Sequence, residues 1–129
     1  MAKTKKIRSL PCYRVGDFPY EYAYCPDVKS WRRHFKALGD GSPPPYPSSK
    51  TGGRCTFVDG FNSCVVTVGS DNTDEMVIDV LVHEAVHVFQ EACEVAGEDT
   101  PSSEFQAYSI QHIFSNLYQE YKKAARRRS

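Results

Sequence analysis

Residues 73–97 of the chain read TDEMVIDVLVHEAVHVFQEACEVAG, and this stretch predicts one long helix. Thr73 is a suitable N-cap, and the acidic residues Asp74 and Glu75 suit the first turn. Gly97 is a suitable end, because glycine readily takes the left-handed conformation that closes a helix. The residues between are apolar on nearly all sides, so the helix is expected in the middle of a domain.

Two histidines and a glutamate interrupt this apolar helix in the pattern H-E-x-x-H, from His83 to His87. Such polar groups are costly in an apolar setting unless they bind a metal or form hydrogen bonds. Residues four apart on a helix project from one face, so His83 and His87 can share one metal ion. Glu84 cannot reach the same coordination position, but it can face a water on that metal. The pattern predicts one Zn²⁺ per chain, with Glu84 as general base for hydrolysis.

A catalytic zinc usually has three protein ligands, so a third must come from elsewhere in the chain. The acidic, cysteine and histidine candidates downstream are Glu91, Cys93, Glu94, Glu98, Asp99, Glu104 and His112. Glu91 continues the histidine row, but ligands on three successive turns of one helix cannot converge. Glu104 opens a second predicted helix, which starts near Thr100-Pro101 and can return alongside the first. Glu104 is therefore the predicted third ligand.

Taken together, these residues resemble the glutamate-type zincins, or gluzincins, over about 54–117. The residues that carry the resemblance are His83-Glu84-x-x-His87 and Glu104-x-x-Ala107-Tyr108. The small size of the chain and the short stretch between His87 and Glu104 are most similar to those of the minimal zincin-like peptidases of phages and bacteria. The resemblance implies an α+β fold, in which a small antiparallel sheet packs on an active-site helix and on a following ligand-bearing helix.

The same resemblance implies a role for each matched residue. His83, His87 and Glu104 would bind zinc, and Glu84 would be catalytic. Tyr108, one turn after the ligand glutamate, would donate a hydrogen bond to the oxyanion, with His112 as second choice. The implied substrate is a peptide or protein.

A β-hairpin is predicted upstream, with strands Arg54–Val58 and Phe61–Val68 joined by Asp59-Gly60 as a two-residue turn. This turn would place Cys55 directly opposite Cys64, whereas a longer loop would shift the register. Either strand could be a sheet edge beside the metal, where an extended peptide pairs by backbone hydrogen bonds. A purely structural hairpin is an equal alternative.

The N-terminal part carries a second set of helix signals. Asp27 can cap a helix that runs to about Leu38, with Gly39 as its stop. Trp31 and Phe35 recur on one face of it at helical spacing. The Gly-, Ser- and Pro-rich residues 39–54 then predict a long loop.

The length and charge of the chain bear on its domain organisation and on its possible partners. The 129 residues suit a single domain, 1–129, with flexible basic termini at about 1–9 and 124–129. Sixteen basic residues balance sixteen acidic ones, which argues against a nucleic-acid partner. Without an evident signal peptide or membrane-spanning stretch, the protein is expected in the cytoplasm, where its five cysteines would stay reduced.

The sequence therefore predicts a zinc-dependent peptidase, and two rival functions stay open. One is a catalytically inactive zincin-like binding protein with a structural metal, which would have no need of Glu84. The other is a nucleic-acid-associated factor, which only the basic termini favour. Bound metal would distinguish the peptidase and the inactive binding protein from the nucleic-acid-associated factor. Hydrolysis would then distinguish the peptidase from the inactive binding protein.

Overall fold

The computed structural model describes residues 9–39, 43–58 and 60–128, and these residues fold into one sheet and three helices. The strands are β1 (Cys12–Arg14), β2 (Glu21–Tyr24), β3 (Gly53–Val58) and β4 (Ser63–Val68); the helices are α1 (Val28–Ala37), α2 (Asp74–Ala96) and α3 (Ser103–Arg128). The predicted α+β class is confirmed. No helix in this described part is long and apolar enough to cross a membrane.

The sheet is mixed, with strand order β1-β2-β4-β3. β1 pairs antiparallel with β2, and β3 pairs antiparallel with β4, but β2 and β4 are parallel. The expected purely antiparallel sheet is therefore wrong at its centre. The physical reason is that α1, the proline-rich loop and β3 together form a long connection from β2 to β4, and such a connection permits parallel pairing.

The hairpin forms, but its predicted register is wrong. Val58 pairs with Ser63 and Cys55 pairs with Val66, so four residues rather than two separate the strands. A turn hydrogen bond from Phe61 N to Val58 O, 3.1 Å long, closes the loop. Because the register moves by two residues, Cys55 and Cys64 still lie on one face of the sheet. They are diagonal neighbours, and the interaction with the Cys64 thiol and burial together raise the pKa of the Cys55 thiol.

Helix α2 begins and ends where its sequence signals predict. The Thr73 hydroxyl accepts a hydrogen bond from Met76 N, and Gly97 closes the helix at φ 72°. The buried stripe of α2 packs on the sheet and on α3; its members are Val77, Leu81, Ala85, Val88, Phe89 and Ala92. Ile78 and Val82, by contrast, are 38% and 44% exposed. The helix was expected in the middle of a domain; the face of α2 on the sheet and α3 is buried, whereas the face with Ile78 and Val82 is exposed.

The two faces of the sheet carry different helices. α1 is capped by Asp27, whose carboxylate accepts from Ser30 N at 2.7 Å, as its sequence predicts. Its buried face, with Trp31 and Phe35, packs against Val58 and Val65 on one side of the sheet. α2 and α3 lie on the other side. Within that pair, α2 contacts β3 and β4, whereas α3 contacts β2.

Helix α3 starts two residues later than its Thr100-Pro101 signal predicts. The Ser102 hydroxyl accepts from Phe105 N at 3.2 Å and so acts as its cap. At the other end, residues 124–128 continue the helix, and Ala124 is buried. The expected flexible C-terminal segment is thus helical up to Arg128. Residues 1–8, most of the expected flexible N-terminus, lie outside the described residues, as does Ser129.

Strand β3 lies close against helix α2 at Gly53. A Cβ atom at this position would lie 2.4 Å from Val80 Cγ1, 3.0 Å from the Thr67 carbonyl oxygen and 3.3 Å from Glu84 Cγ. The backbone of Gly53 does not need glycine for its dihedral angles, since its φ is not positive. The absence of a side chain is therefore what lets the strand lie against the helix.

We expect Gly53→Ala to lower the free energy of unfolding by about 1–3 kcal/mol, the usual cost of overpacking. Adding Val80→Ala removes the atom in worst conflict, so the double variant should be more stable than the sum of the single changes predicts. Urea denaturation of the wild type, Gly53→Ala, Val80→Ala and the double variant gives the coupling energy between the two positions. Additive effects would show that Gly53 and Val80 do not press on each other.

Candidate active site

The histidines of the motif lie on the exposed flank of α2 that faces β3. Their Nε2 atoms face each other at 3.1 Å, and the ring planes are 79° apart. Two nitrogens bound to one tetrahedral zinc at about 2.05 Å each would lie about 3.3 Å apart. The His83–His87 pair thus already has nearly the separation that a shared metal requires, and this geometry fits zinc.

Gln90 orients the second histidine. Its Oε1 lies 3.1 Å from His87 Nδ1. Because a carbonyl oxygen only accepts hydrogen bonds, Nδ1 carries the proton and Nε2 keeps its lone pair. The lone pair points towards His83, where a shared metal would lie. Hydrogen bonds of this kind fix the tautomer and the ring orientation of metal-binding histidines.

Glu84 lies between the histidines in sequence but points towards the sheet. The side chain is buried, with only 5% of its surface exposed. Burial raises the pKa of its carboxyl, and the neighbouring His83 and His87 rings lower it in part. The net pKa is above the ordinary value for glutamate, which suits a group that must take up a proton near neutral pH.

A groove of about 310 Å³ runs between α2 and β3 beside these residues. One wall is formed by His83, Glu84 and His87 of α2. The other wall is formed by β3, including Cys55 and the half-exposed Phe57. β3 is the last strand of the sheet, so the groove opens along a sheet edge.

The backbone of that edge is available for further pairing. Gly69 N donates to Gly52 O at 2.8 Å, which makes this a hydrogen-bonded pair in the same register as β3 and β4. Hydrogen-bonded and non-hydrogen-bonded pairs alternate along an antiparallel ladder. The N–H and C=O groups of Gly53, Cys55 and Phe57 therefore point away from β4, into the open edge next to the histidines.

The predicted third ligand is not gathered into this groove. Glu104 lies exposed in the first turn of α3. The adjacent Phe105 packs its ring 5.9 Å from that of Phe89, on the flank of α2 opposite β3. Across residues 9–39, 43–58 and 60–128, no group of three or more His, Cys, Asp or Glu side chains lies close enough to hold a metal. Glu104 as a ligand stays a prediction.

The predicted oxyanion donors lie elsewhere as well. Tyr108 is 58% exposed and lines a separate groove between β1 and α3, together with His112 and Arg14. The structure therefore brings together three of the five predicted site residues, which are His83, Glu84 and His87. The assignment of Tyr108 to the oxyanion remains a prediction.

Gly53 and Gln90 were not singled out by sequence reasoning, and Cys55 was singled out only for its pairing with Cys64. Gln90 could have been found, because it stands three positions after His87 on the same helix and so on the same face. The strand Arg54–Val58 was one of two predicted sheet edges beside the metal. The contact of Gly53 with Val80 and Glu84, by contrast, depends on how β3 packs on α2, which no local pattern reveals.

Comparison with known proteins adds no family: the chain matches no protein-family model, no curated protein and no solved structure. The gluzincin resemblance thus rests on the motif residues themselves, and it enters the function below as a proposal.

The role of Gln90 can be measured through zinc affinity. We expect Gln90→Ala to weaken zinc binding about 10- to 100-fold, the usual effect of losing a hydrogen bond that orients a ligand. Competition with a chromophoric chelator measures the affinity. Gln111→Ala, at an exposed glutamine of α3, is the matched control and should bind zinc like the wild type. Unchanged affinity in Gln90→Ala would mean that the hydrogen bond does not prepare His87.

Proposed function

We propose that the protein is a zinc-dependent peptidase of the gluzincin type that hydrolyses an extended segment of a peptide or protein in the groove between α2 and β3. A cytoplasmic location is part of this proposal. The observation that carries it is the facing pair of His83 and His87 Nε2 atoms, 3.1 Å apart, beside the buried carboxyl of Glu84. The proposed zinc ligands are His83 and His87, with Glu104, which lies outside the groove in this structure, as the predicted third.

Zinc, when bound, supplies a Lewis acid that polarises the scissile carbonyl and lowers the pKa of water. The residues of the chain supply the rest of the reaction. Glu84 takes the proton of the attacking water and delivers it to the leaving amine. Its raised pKa supports this role, because a carboxyl of ordinary acidity holds a proton less readily. Gln90 keeps His87 in the tautomer that presents its lone pair.

The edge of β3 supports a peptide as the substrate. An extended chain laid along this edge can pair with the outward N–H and C=O groups of Cys55, which lines the groove opposite the motif. Such pairing holds the backbone of the substrate whatever its side chains are. It also places a peptide bond of the substrate beside Glu84. The half-exposed ring of Phe57 lies on the same strand and offers an apolar contact to a substrate side chain.

The base is tested by Glu84→Gln. Glutamine preserves the shape of the side chain but cannot accept the proton, so hydrolysis of an unfolded protein such as casein should fall by at least about 100-fold. Zinc content and thermal unfolding should stay close to those of the wild type. Equal cleavage by both proteins would remove Glu84 from the role of base. Stoichiometric zinc without any cleavage by the wild type would favour the inactive, metal-binding alternative.

The third ligand is tested by Glu104→Ala. We expect about one zinc per chain in the wild type and a large loss of retained zinc in the variant after dialysis, because two histidines alone hold the metal weakly. Glu91→Ala, on α2, is the matched control and should retain zinc. Metal analysis of the purified proteins gives both values. Equal zinc in wild type and Glu104→Ala would refute the assignment of Glu104.

A further inference from the structure

A second cavity, of about 390 Å³, lies at the end of the sheet where the parallel strands β2 and β4 finish. It is lined by Tyr24 and Val68, the last residues of these strands, and by Asn72, just before α2. None of the motif residues lines it. The volume lies within the range of small-molecule sites, and the carboxyl ends of parallel strands are where open α/β sheets commonly bind ligands.

The hydroxyl of Tyr24 is the unusual group in this cavity. Tyr24 is only 3% exposed, and its ring packs edge-to-face against Tyr121 at 6.2 Å. Among the described residues its hydroxyl forms no hydrogen bond, whereas Tyr121 donates to Asp74 at 2.6 Å. Tyr24 lines the cavity, so a ligand there would accept a hydrogen bond from this hydroxyl, which no group of the described residues bonds.

The charge of the lining points to the kind of ligand. Arg128, in the last turn of α3, is the only charged residue among the described residues that line the cavity. Burial raises the pKa of the Tyr24 hydroxyl, and the positive charge of Arg128 opposes this shift. The same charge lowers the pKa of Tyr46 and Tyr121 against the effect of burial, and it also lowers the pKa of the Asp27 carboxyl.

We propose that this cavity binds a small organic molecule with an oxyanion group, either a carboxylate or a phosphate, which pairs with Arg128 and accepts a hydrogen bond from Tyr24. Arginine offers a planar set of donors that suits both groups. Inorganic phosphate would leave much of the cavity unfilled. The rings of Tyr46 and Tyr121 and the apolar side chain of Val77 can hold a planar apolar part of the ligand.

The test uses the full chain without zinc, so that ligands cannot bind through the metal. Phenyl phosphate, benzoate and uncharged phenol are titrated separately, followed by amide chemical shifts. We expect saturable binding of at least one oxyanion, at least tenfold tighter than phenol, with shifts around Tyr24, Val68 and Asn72. Preference for phenyl phosphate or for benzoate identifies the oxyanion. Failure of both to bind, or phenol binding as tightly, would overturn the proposal.

Variants tie the binding to the named residues. Arg128→Gln should weaken binding at least tenfold, whereas Arg127→Gln, the same charge change one residue earlier, should have less than a twofold effect. Tyr24→Phe should weaken binding several-fold without filling the cavity. Equal affinity of wild type and Arg128→Gln would overturn the site. His83→Ala should bind the oxyanion normally, so this proposal and the peptidase proposal can fail separately.

Discussion

The close contact between strand β3 and helix α2 is the constraint on which the candidate site depends. Gly53 leaves room for Val80 and Glu84 at a distance that any larger residue would obstruct. This contact sets the width of the groove, because one wall of the groove is the strand and the other is the helix. It also buries the stem of Glu84 while the neighbouring histidines remain exposed. The chemistry of the groove thus follows from the packing of two elements.

Two opposing effects determine the acidity of Glu84. Removing a carboxylate from water disfavours its charged form, and nearby imidazole rings favour it when they carry positive charge. Burial is the larger effect, so the net pKa is raised. The same α2 turn therefore provides two different environments. Its outer face keeps His83 and His87 open to a ligand, and its inner face holds a proton acceptor away from bulk water.

Local signals predicted the helices well, since each such signal acts within a few residues. Thr73 and Gly97 bound α2 through hydrogen bonds and a left-handed turn that neighbouring residues form. The H-E-x-x-H spacing likewise predicted that the two histidines meet. Non-local features were missed, because pairing of Glu21 with Ser63 depends on strands far apart in the chain. The hairpin register was missed for another reason: Asp59-Gly60 resembles a two-residue turn, whereas β3 ends at Val58 and β4 begins only at Ser63.

The position of the motif within α2 also has a consequence for its motions. The turn that carries the histidines has Leu81, Ala85 and Val88 on its other side, and all three are fully buried in the main core. Local melting of this turn would draw these side chains out of the core, so it costs almost as much as unfolding the domain. The backbone amides of residues 83–87 should thus be among the slowest to exchange with deuterium. Heat would then abolish the site only when the whole domain unfolds.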